Sequence, residues 1–369
     1  MRILYDFQAF SIQKFGGISR YFTEILKHLK SHSELSIDIA CVASSNHYLL
    51  ESQLLVKNYF GNLTFKGKGK LSEILNRMML RHRLKKGEYD IFHPTYYYEM
   101  YHLSLNKRPF VITIHDMIHE KFLRNEPASD ELIENKKILA HKAAHIIAVS
   151  ETTKSDIVEA YGIREEKISV IYHGSSLNVM DYANTKPPPL DQEFILFVGS
   201  RSGYKNFAFL LEAFARLKQS HPRILLFCAG GGAFSADEMQ KISLVDCIGR
   251  VLQRNASDEE MALLYKHAMC FVFPSKYEGF GIPVIEAFSQ GCPVAASNCP
   301  ALVEVCGDAA AYFDPYSVDS IHQTLCKIIE SEQLRYSLSK LGIERGRLFS
   351  WDLAASRTLD VYKKVLSEA

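Results

Sequence analysis

The stretch from Cys270 to Gly291, Cys-Phe-Val-Phe-Pro-Ser-Lys-Tyr-Glu-Gly-Phe-Gly-Ile-Pro-Val-Ile-Glu-Ala-Phe-Ser-Gln-Gly, permits few folds. Its opening run, Cys270 to Pro274, is short and apolar and reads as a buried strand. Pro283 suits the first position of a helix, and Gly291 suits the residue just past its end. The order is therefore strand, glycine-rich turn, short helix. Gly279 and Gly281 let the backbone come close to a ligand. The amides of Phe280, Gly281 and Ile282 precede or open the helix, where donors lack intrahelical partners. With the positive end of the helix dipole, that arrangement seats a phosphate. Glu278 at the lip and Glu286 about one turn in are unsuited to a phosphate. They are suited to accept hydrogen bonds from sugar hydroxyls. Without a ligand, the same stretch is an ordinary turn with two surface glutamates.

The rest of the chain repeats this alternation. Arg2 to Asp6 reads as a strand, followed by a loop, Gly16-Gly17 and a helix to Leu29. The pattern lacks G-x-G-x-x-G, so the dinucleotide fingerprint of oxidoreductases is missing. Ser36 to Ala43, Tyr89 to His93, Arg108 to Ile114, His145 to Val149 and Lys167 to Tyr172 read as further strands. Ser150 is expected to cap the helix that ends near Gly162. A polar stretch and the triple proline Pro187-Pro188-Pro189 then mark a linker. The second half opens with the strand Phe194 to Val198 and the turn Gly199-Ser-Arg-Ser-Gly-Tyr-Lys-Asn206. Arg201 and Lys205 make that turn a second anion site, or else are surface charges. Ser257-Asp-Glu-Glu260 reads as a capping box.

Lys66 to Lys86 stands apart, with eight cations against the single acid Glu73. Leu71, Ile74, Leu75, Met78 and Met79 fall at helical spacing within it. A basic amphipathic helix suits an anionic membrane surface or a phosphate-bearing acceptor. A solvated basic face over a core stripe is the alternative. His115 follows the strand ending at Ile114, at a position where ligands bind in open αβ sheets. His115 and His119 are four apart but lack the Glu of H-E-x-x-H, so no metal site is expected there.

With 369 residues the chain can build two full cores. A net charge of +1 provides no field for nucleic acid. The N-terminus starts as a strand, and no apolar run approaches the ~18 residues that span a bilayer. A cytoplasmic protein is expected, with the 66–86 segment suited to the inner face of a membrane. The eight cysteines lack C-x-x-C spacing and read as reduced thiols. Cys292, Cys299 and Cys306 recur every seven residues without a fourth ligand, which makes a poor zinc site.

Glu278-Gly-Phe-Gly-Ile-Pro-Val-Ile-Glu286, continuing through Gly291 to Asn298 and Glu304 to Asp308, resembles the E-x7-E signature of retaining GT-B glycosyltransferases of family 4. The resemblance implies an α/β fold of two Rossmann-like domains facing across a cleft. Residues 1–180 would form the acceptor-side domain and residues 181–350 the nucleotide-sugar domain. A helix over 351–369 would cross back to the first. It also implies roles. Lys205 would bind the donor diphosphate, with Arg201 as the second phosphate contact. Glu286 would hold the ribose and Glu278 the donor sugar. His115 would sit beside the anomeric carbon, and Gly16 and Gly17 would face the diphosphate or the acceptor. The loop from Val251 to Ala256 would seat the base.

Transfer from a nucleoside diphosphate builds negative charge on the leaving group. Preorganised donors aimed there speed the reaction without a metal or other cofactor. The expected partners are a nucleotide-sugar, GDP-mannose by a weak lean or a UDP-sugar, and a glycan or lipid-linked acceptor. The expected setting is surface polysaccharide biosynthesis. Two alternatives stay open: a nucleotide-sugar epimerase or hydrolase, and a non-catalytic sugar-nucleotide-binding protein.

Overall fold

The computed structural model describes residues 1–54, 58–61, 63, 65–97, 108–124, 126, 129–177, 192–201 and 203–368. The triple proline and the boundary expected near 180 lie outside them, as do Tyr98 and His102. The chain divides into two compact units, Met1–Gly174 with Trp351–Ala369, and Ser175–Ser350.

The first unit runs β1 (Arg2–Tyr5), α1 (Ala9–Ile12), α2 (Gly17–Leu29), β2 (Ser36–Ile39), α3 (His47–Glu51), α4 (Lys68–Lys86), β3 (Ile91–His93) and β4 (Val111–Ile114). It continues α5 (Ile118–Phe122), α6 (Ser129–Lys142), β5 (His145–Ala148), α7 (Glu151–Tyr161) and β6 (Ile168–Val170). Its strands are ordered β2-β1-β3 and β4-β5-β6, and a parallel bridge from Phe92 to Phe110 joins the two sets. Ser150 caps α7 as expected, accepting from the Thr153 amide at 2.9 Å.

The second unit runs β7 (Phe194–Val198), α8 (Phe207–Ser220), β8 (Leu225–Ala229), α9 (Ala236–Leu244), β9 (Val251–Arg254), α10 (Asp258–His267) and β10 (Cys270–Phe273). There follow α11 (Ile282–Ser289), β11 (Val294–Ser297), α12 (Pro300–Cys306), β12 (Ala310–Phe313), α13 (Val318–Glu330) and α14 (Glu332–Gly346). Its sheet is ordered β12-β11-β10-β7-β8-β9. Pairings in both units are parallel, with Phe194 opposite Leu225 and Phe271 opposite Val294. A parallel sheet is covered on both faces, which is why its strands read as unbroken apolar runs. β10 is buried at every position. Phe197, Phe214, Val272, Leu325 and Ile328 fill one side of the core between sheet, α8 and α13. Each such side chain contributes roughly 1.5–3 kcal/mol by leaving water.

The last helix, α15 (Trp351–Ser367), belongs to the first unit and packs on α2. A buried chain of polar groups holds it. Tyr362 Oη lies 2.5 Å from Tyr5 Oη and 2.6 Å from His93 Nδ1, and His93 Nε2 is 3.1 Å from Thr113 Oγ1.

Three local expectations need correction. Pro283 occupies the second helical position, because α11 starts at Ile282 with Gly281 as its N-cap. Strand β2 stops at Ile39, where the Cys41 amide turns back to the Ile39 carbonyl at 2.7 Å. The apolar stripe of the basic segment is not its core face. In α4 the buried residues are Asn76, Leu80 and Leu84, whereas Ile74 is 54% and Met78 62% exposed. Asn76 sets that orientation. It accepts from the Val42 and Ala43 amides at 2.7 and 3.0 Å and donates to the Ala43 carbonyl at 2.8 Å, closing the frayed end of β2.

Candidate functional site

In the second unit the strand order reverses between β7 and β10, so the loops leaving their carboxyl ends lie side by side. This is where open αβ sheets bind ligands. The turn after β7 carries Lys205 and the turn after β10 carries Glu278. Lys205 Nζ meets Glu278 Oε1 at 2.6 Å, with both side chains largely buried. Asn206 stitches the loops together. Its backbone is left-handed at φ 60°, and its Nδ2 donates to the Pro274 and Pro315 carbonyls at 3.1 and 2.7 Å. The Lys276 amide donates to the Tyr204 carbonyl at 2.8 Å.

Gly281 opens α11 at φ +113°. A Cβ there would come 2.8 Å from Leu302 Cδ2, so only glycine brings this turn against the core. No side chain caps the first turn of α11, and the preceding Gly279-Phe280 leads into it. Phe280 is buried, edge-on to Phe349. Glu286 follows one turn later, buried, where Oε2 accepts from Tyr265 Oη at 3.2 Å. The second unit thus pairs Lys205 with Glu278 and places Gly279, Phe280, Gly281 and Glu286 on the turn and helix that follow Glu278.

Arg201 is placed differently. Its side chain is 2% exposed, and its donors are committed elsewhere. Nε donates to Glu238 Oε1 at 2.8 Å, Nη1 to the Gly230 carbonyl at 3.0 Å, and Nη2 to the Gly232 carbonyl at 2.9 Å. The expected second phosphate contact is instead a clamp on the Gly230-Gly231-Gly232 turn, whose residues all have positive φ. Glu238 also closes a capping box with Ser235. Gln253, in the loop expected near the base, lies in β9 and donates to the Gly230 carbonyl at 3.2 Å.

In the first unit Gly16 is the N-cap of α2 and Gly17 its first residue, with no side-chain cap. A Cβ on Gly16 would strike Gln13 Oε1, whereas Gly17 has open space. His115 lies beyond β4, with its ring against two residues of α2: centroids are 4.9 Å from Tyr21 and 5.8 Å from Phe22. It stacks on His173 at 6.0 Å. Burial holds the His115 imidazole down to about 4, with Asp116 pulling up and Lys136 pushing down. The ring is therefore neutral at pH 7. Its Nε2 is buried with no hydrogen-bond partner among the described residues. Among the described residues no three His, Cys, Asp or Glu side chains come together to hold a metal.

Sequence reasoning missed the groups that hold His115. Tyr97 Oη receives the His115 amide at 3.2 Å and donates to the Thr113 carbonyl at 2.9 Å. Lys136, buried, donates to the Asp116 carbonyl at 3.1 Å and to Glu120 Oε2 at 3.0 Å. A lysine within a polar helix normally reads as solvated. Its acid lies 16 residues away, so nothing local marked the pair.

The model described as "Glycosyltransferase Family 4" matches residues 15–179, and "Glycosyl transferases group 1" matches residues 181–345. O-antigen chain mannosyltransferase B of Escherichia coli is 28% identical over 59% of this chain and 60% of its own length. The chain spans about a third to three fifths of the length of the curated mannosyltransferases it matches. Sucrose-phosphate synthase from Thermosynechococcus elongatus superposes with a TM-score of 0.79 at 19% identity, over 100% of this chain and 99% of that one. Anabaena HepE in complex with UDP and glucose does so with a TM-score of 0.75 at 16% identity, over 98% and 99%. These two likenesses speak for the fold. Both halves match the family's models in chain order, and the chain belongs to the glycosyltransferases of family 4, with the GT-B fold.

Proposed function

We propose that this protein is a retaining, metal-independent glycosyltransferase. It moves a hexose, mannose by preference, from a nucleotide-sugar to a glycan or lipid-linked saccharide of a surface polysaccharide. The observation that carries this reading is the Lys205–Glu278 pair at the strand reversal, 2.6 Å apart beside the uncapped start of α11. The name of the matched E. coli relative supports the mannose preference.

In the reaction the bond from the anomeric carbon to the diphosphate oxygen breaks, and a bond to the acceptor hydroxyl forms on the same face. The acceptor proton passes to the leaving phosphate. Negative charge gathers on the diphosphate, where Lys205 and the amides opening α11 stabilise it. Charge-assisted hydrogen bonds of this kind contribute roughly 1.5–3 kcal/mol each. Glu278 orients Lys205 and takes sugar hydroxyls, and Glu286 takes the ribose. From the first unit, neutral His115 steadies the reacting sugar beside its anomeric carbon, and the Gly16-Gly17 turn faces the diphosphate or the acceptor. The exposed Ile74 and Met78, set among the cations of α4, support peripheral contact with the inner face of a membrane.

The test is turnover of GDP-mannose and UDP-glucose, with and without a glycan acceptor, in the wild type, Glu278→Ala and Lys205→Ala. We expect Glu278→Ala to cut transfer at least a hundredfold with little loss of fold. Lys205→Ala should raise the donor dissociation constant at least tenfold. Near-normal turnover by Glu278→Ala overturns the site. Equal donor consumption with and without acceptor would make the protein a hydrolase or epimerase, and donor binding without turnover would make it a binding protein.

A further inference from the structure

A cavity of about 440 Å³ lies along β2, the edge strand of the first unit's sheet. Its lining follows the chain from Leu35 to Val42. Ile37 and Ile39 of β2, Leu35, Val42 and Leu54 from the chain around it and Met79 of α4 supply most of the wall, and Tyr59 also lines it. Cys41 adds a neutral thiol, because burial pushes it up to about 12. Two cations complete the lining: Lys30 at the end of α2 and Arg83 on α4. Asp38 takes Nη1 of Arg83 at 3.3 Å. Nε of Arg83 is buried and meets no hydrogen-bond partner among the described residues.

An unmatched buried N–H on a cation is costly, and an anion removes that cost. The wall offers such an anion a largely apolar bed rather than a polar shell. Few ligands combine both traits, and a chain with an anionic head is one. Helix α4 contributes Met79 and Arg83 to this cavity while turning Ile74 and Met78 to solvent.

We propose that the cavity takes an acyl chain of an anionic phospholipid, with Arg83 and Lys30 at its head group. The site extends the membrane contact suggested for α4. It does not depend on sugar transfer, so binding alone tests it.

The probe is monomeric dihexanoylphosphatidylglycerol, titrated into the full chain by calorimetry. Glycerol phosphate and dihexanoylphosphatidylcholine form the comparison arms. We expect the anionic lipid to bind at least tenfold tighter than either. Arg83→Met should weaken it at least tenfold. Met79→Trp, which fills the cavity, should do the same with an unchanged circular dichroism spectrum. If Arg83→Met does not fold, Lys30→Ala carries the head-group test, with a weakening of about threefold expected and no change overturning the proposal. Equal binding of glycerol phosphate reduces the site to an anion contact, and equal binding of the zwitterionic lipid reduces it to an apolar groove. Either result overturns the proposal, as does unchanged affinity in Met79→Trp. Vesicle binding without short-lipid binding would leave α4 as a docking surface and remove the cavity.

Discussion

Lys136 illustrates how a residue outside the proposed site can govern one placed in it. Its ammonium holds the Asp116 carbonyl, and Tyr97 holds the His115 amide, so His115 is fixed through its backbone on both sides. The same charge also helps to keep the imidazole neutral. We therefore expect Lys136→Met to lower kcat roughly tenfold while leaving donor affinity unchanged. It should also raise the His115 pKa, moving the acid limb of the pH profile upward. Losing one partner of a buried ion pair typically costs about 3–5 kcal/mol. The double variant Lys136→Met/Glu120→Gln removes both charges and should recover stability but not kcat. Ring-proton NMR of His115 against pH checks the shift, and an unmoved imidazole would relegate Lys136 to a purely structural role. At this scale the sequence was legible where chemistry is local in the chain. Gly281, Glu278 and Glu286 sit within one turn and helix, and Lys205 ends a glycine turn. Arg201 was legible as a cation but not by its task, because its acid, Glu238, lies 37 residues on.

Among elements, α15 depends on polar contacts that no periodicity announces. The family resemblance implied a helix over 351–369, but Tyr362 looks in the sequence like one more aromatic. In the fold its hydroxyl completes the Tyr5–Tyr362–His93–Thr113 chain, all within the buried core of the first unit. Tyr362→Phe keeps the ring and removes the link, leaving Tyr5 Oη and His93 Nδ1 short of a partner. A buried polar group left unmatched costs about 1–3 kcal/mol. We expect a loss of that size in urea unfolding of the first unit. A loss under about 0.5 kcal/mol would show that a water substitutes for the hydroxyl. Helix α4 shows the converse limit. The 3.6-residue spacing gave its existence and its basic character. The choice of inward face fell to Asn76, a polar residue that satisfies three backbone groups at the end of β2. Hydrophobic spacing cannot register a decision made by hydrogen bonds.

Across the whole molecule, buried histidines are distributed unevenly, and acid should reveal it. His93 is held down to about 3 and His115 and His145 to about 4, in each case chiefly by burial, and His173 is held well below its ordinary value for the same reason. All four belong to the first unit. The histidines of the second unit, His221, His267 and His322, are not buried. A histidine neutral when folded gains a proton on unfolding as pH falls below about 6.5. Its contribution to stability is therefore complete above that pH and lost on descent towards the folded value, at up to about 1.4 kcal/mol per pH unit. Asp6 works the other way. Burial raises its carboxyl to about 6 against hydrogen bonds from Thr95 and Gln8, so it adds stability as pH falls from there towards 3.8. One carboxyl offsets about one of four imidazoles, and the first unit loses stability on balance between pH 6.5 and 4. In the second unit, Glu238 is pushed up by burial but lowered more by Arg201 and Ser235, so its contribution is lost only below about pH 4.5. We expect acid unfolding in two stages, with β1–β6 and α15 losing amide protection near pH 5 while β7–β12 keep theirs. Hydrogen exchange at pH 7, 5.5 and 4.5 reads this directly. Simultaneous loss in both units, or earlier loss in the second, would mean that the buried imidazoles do not set the acid limit of the fold.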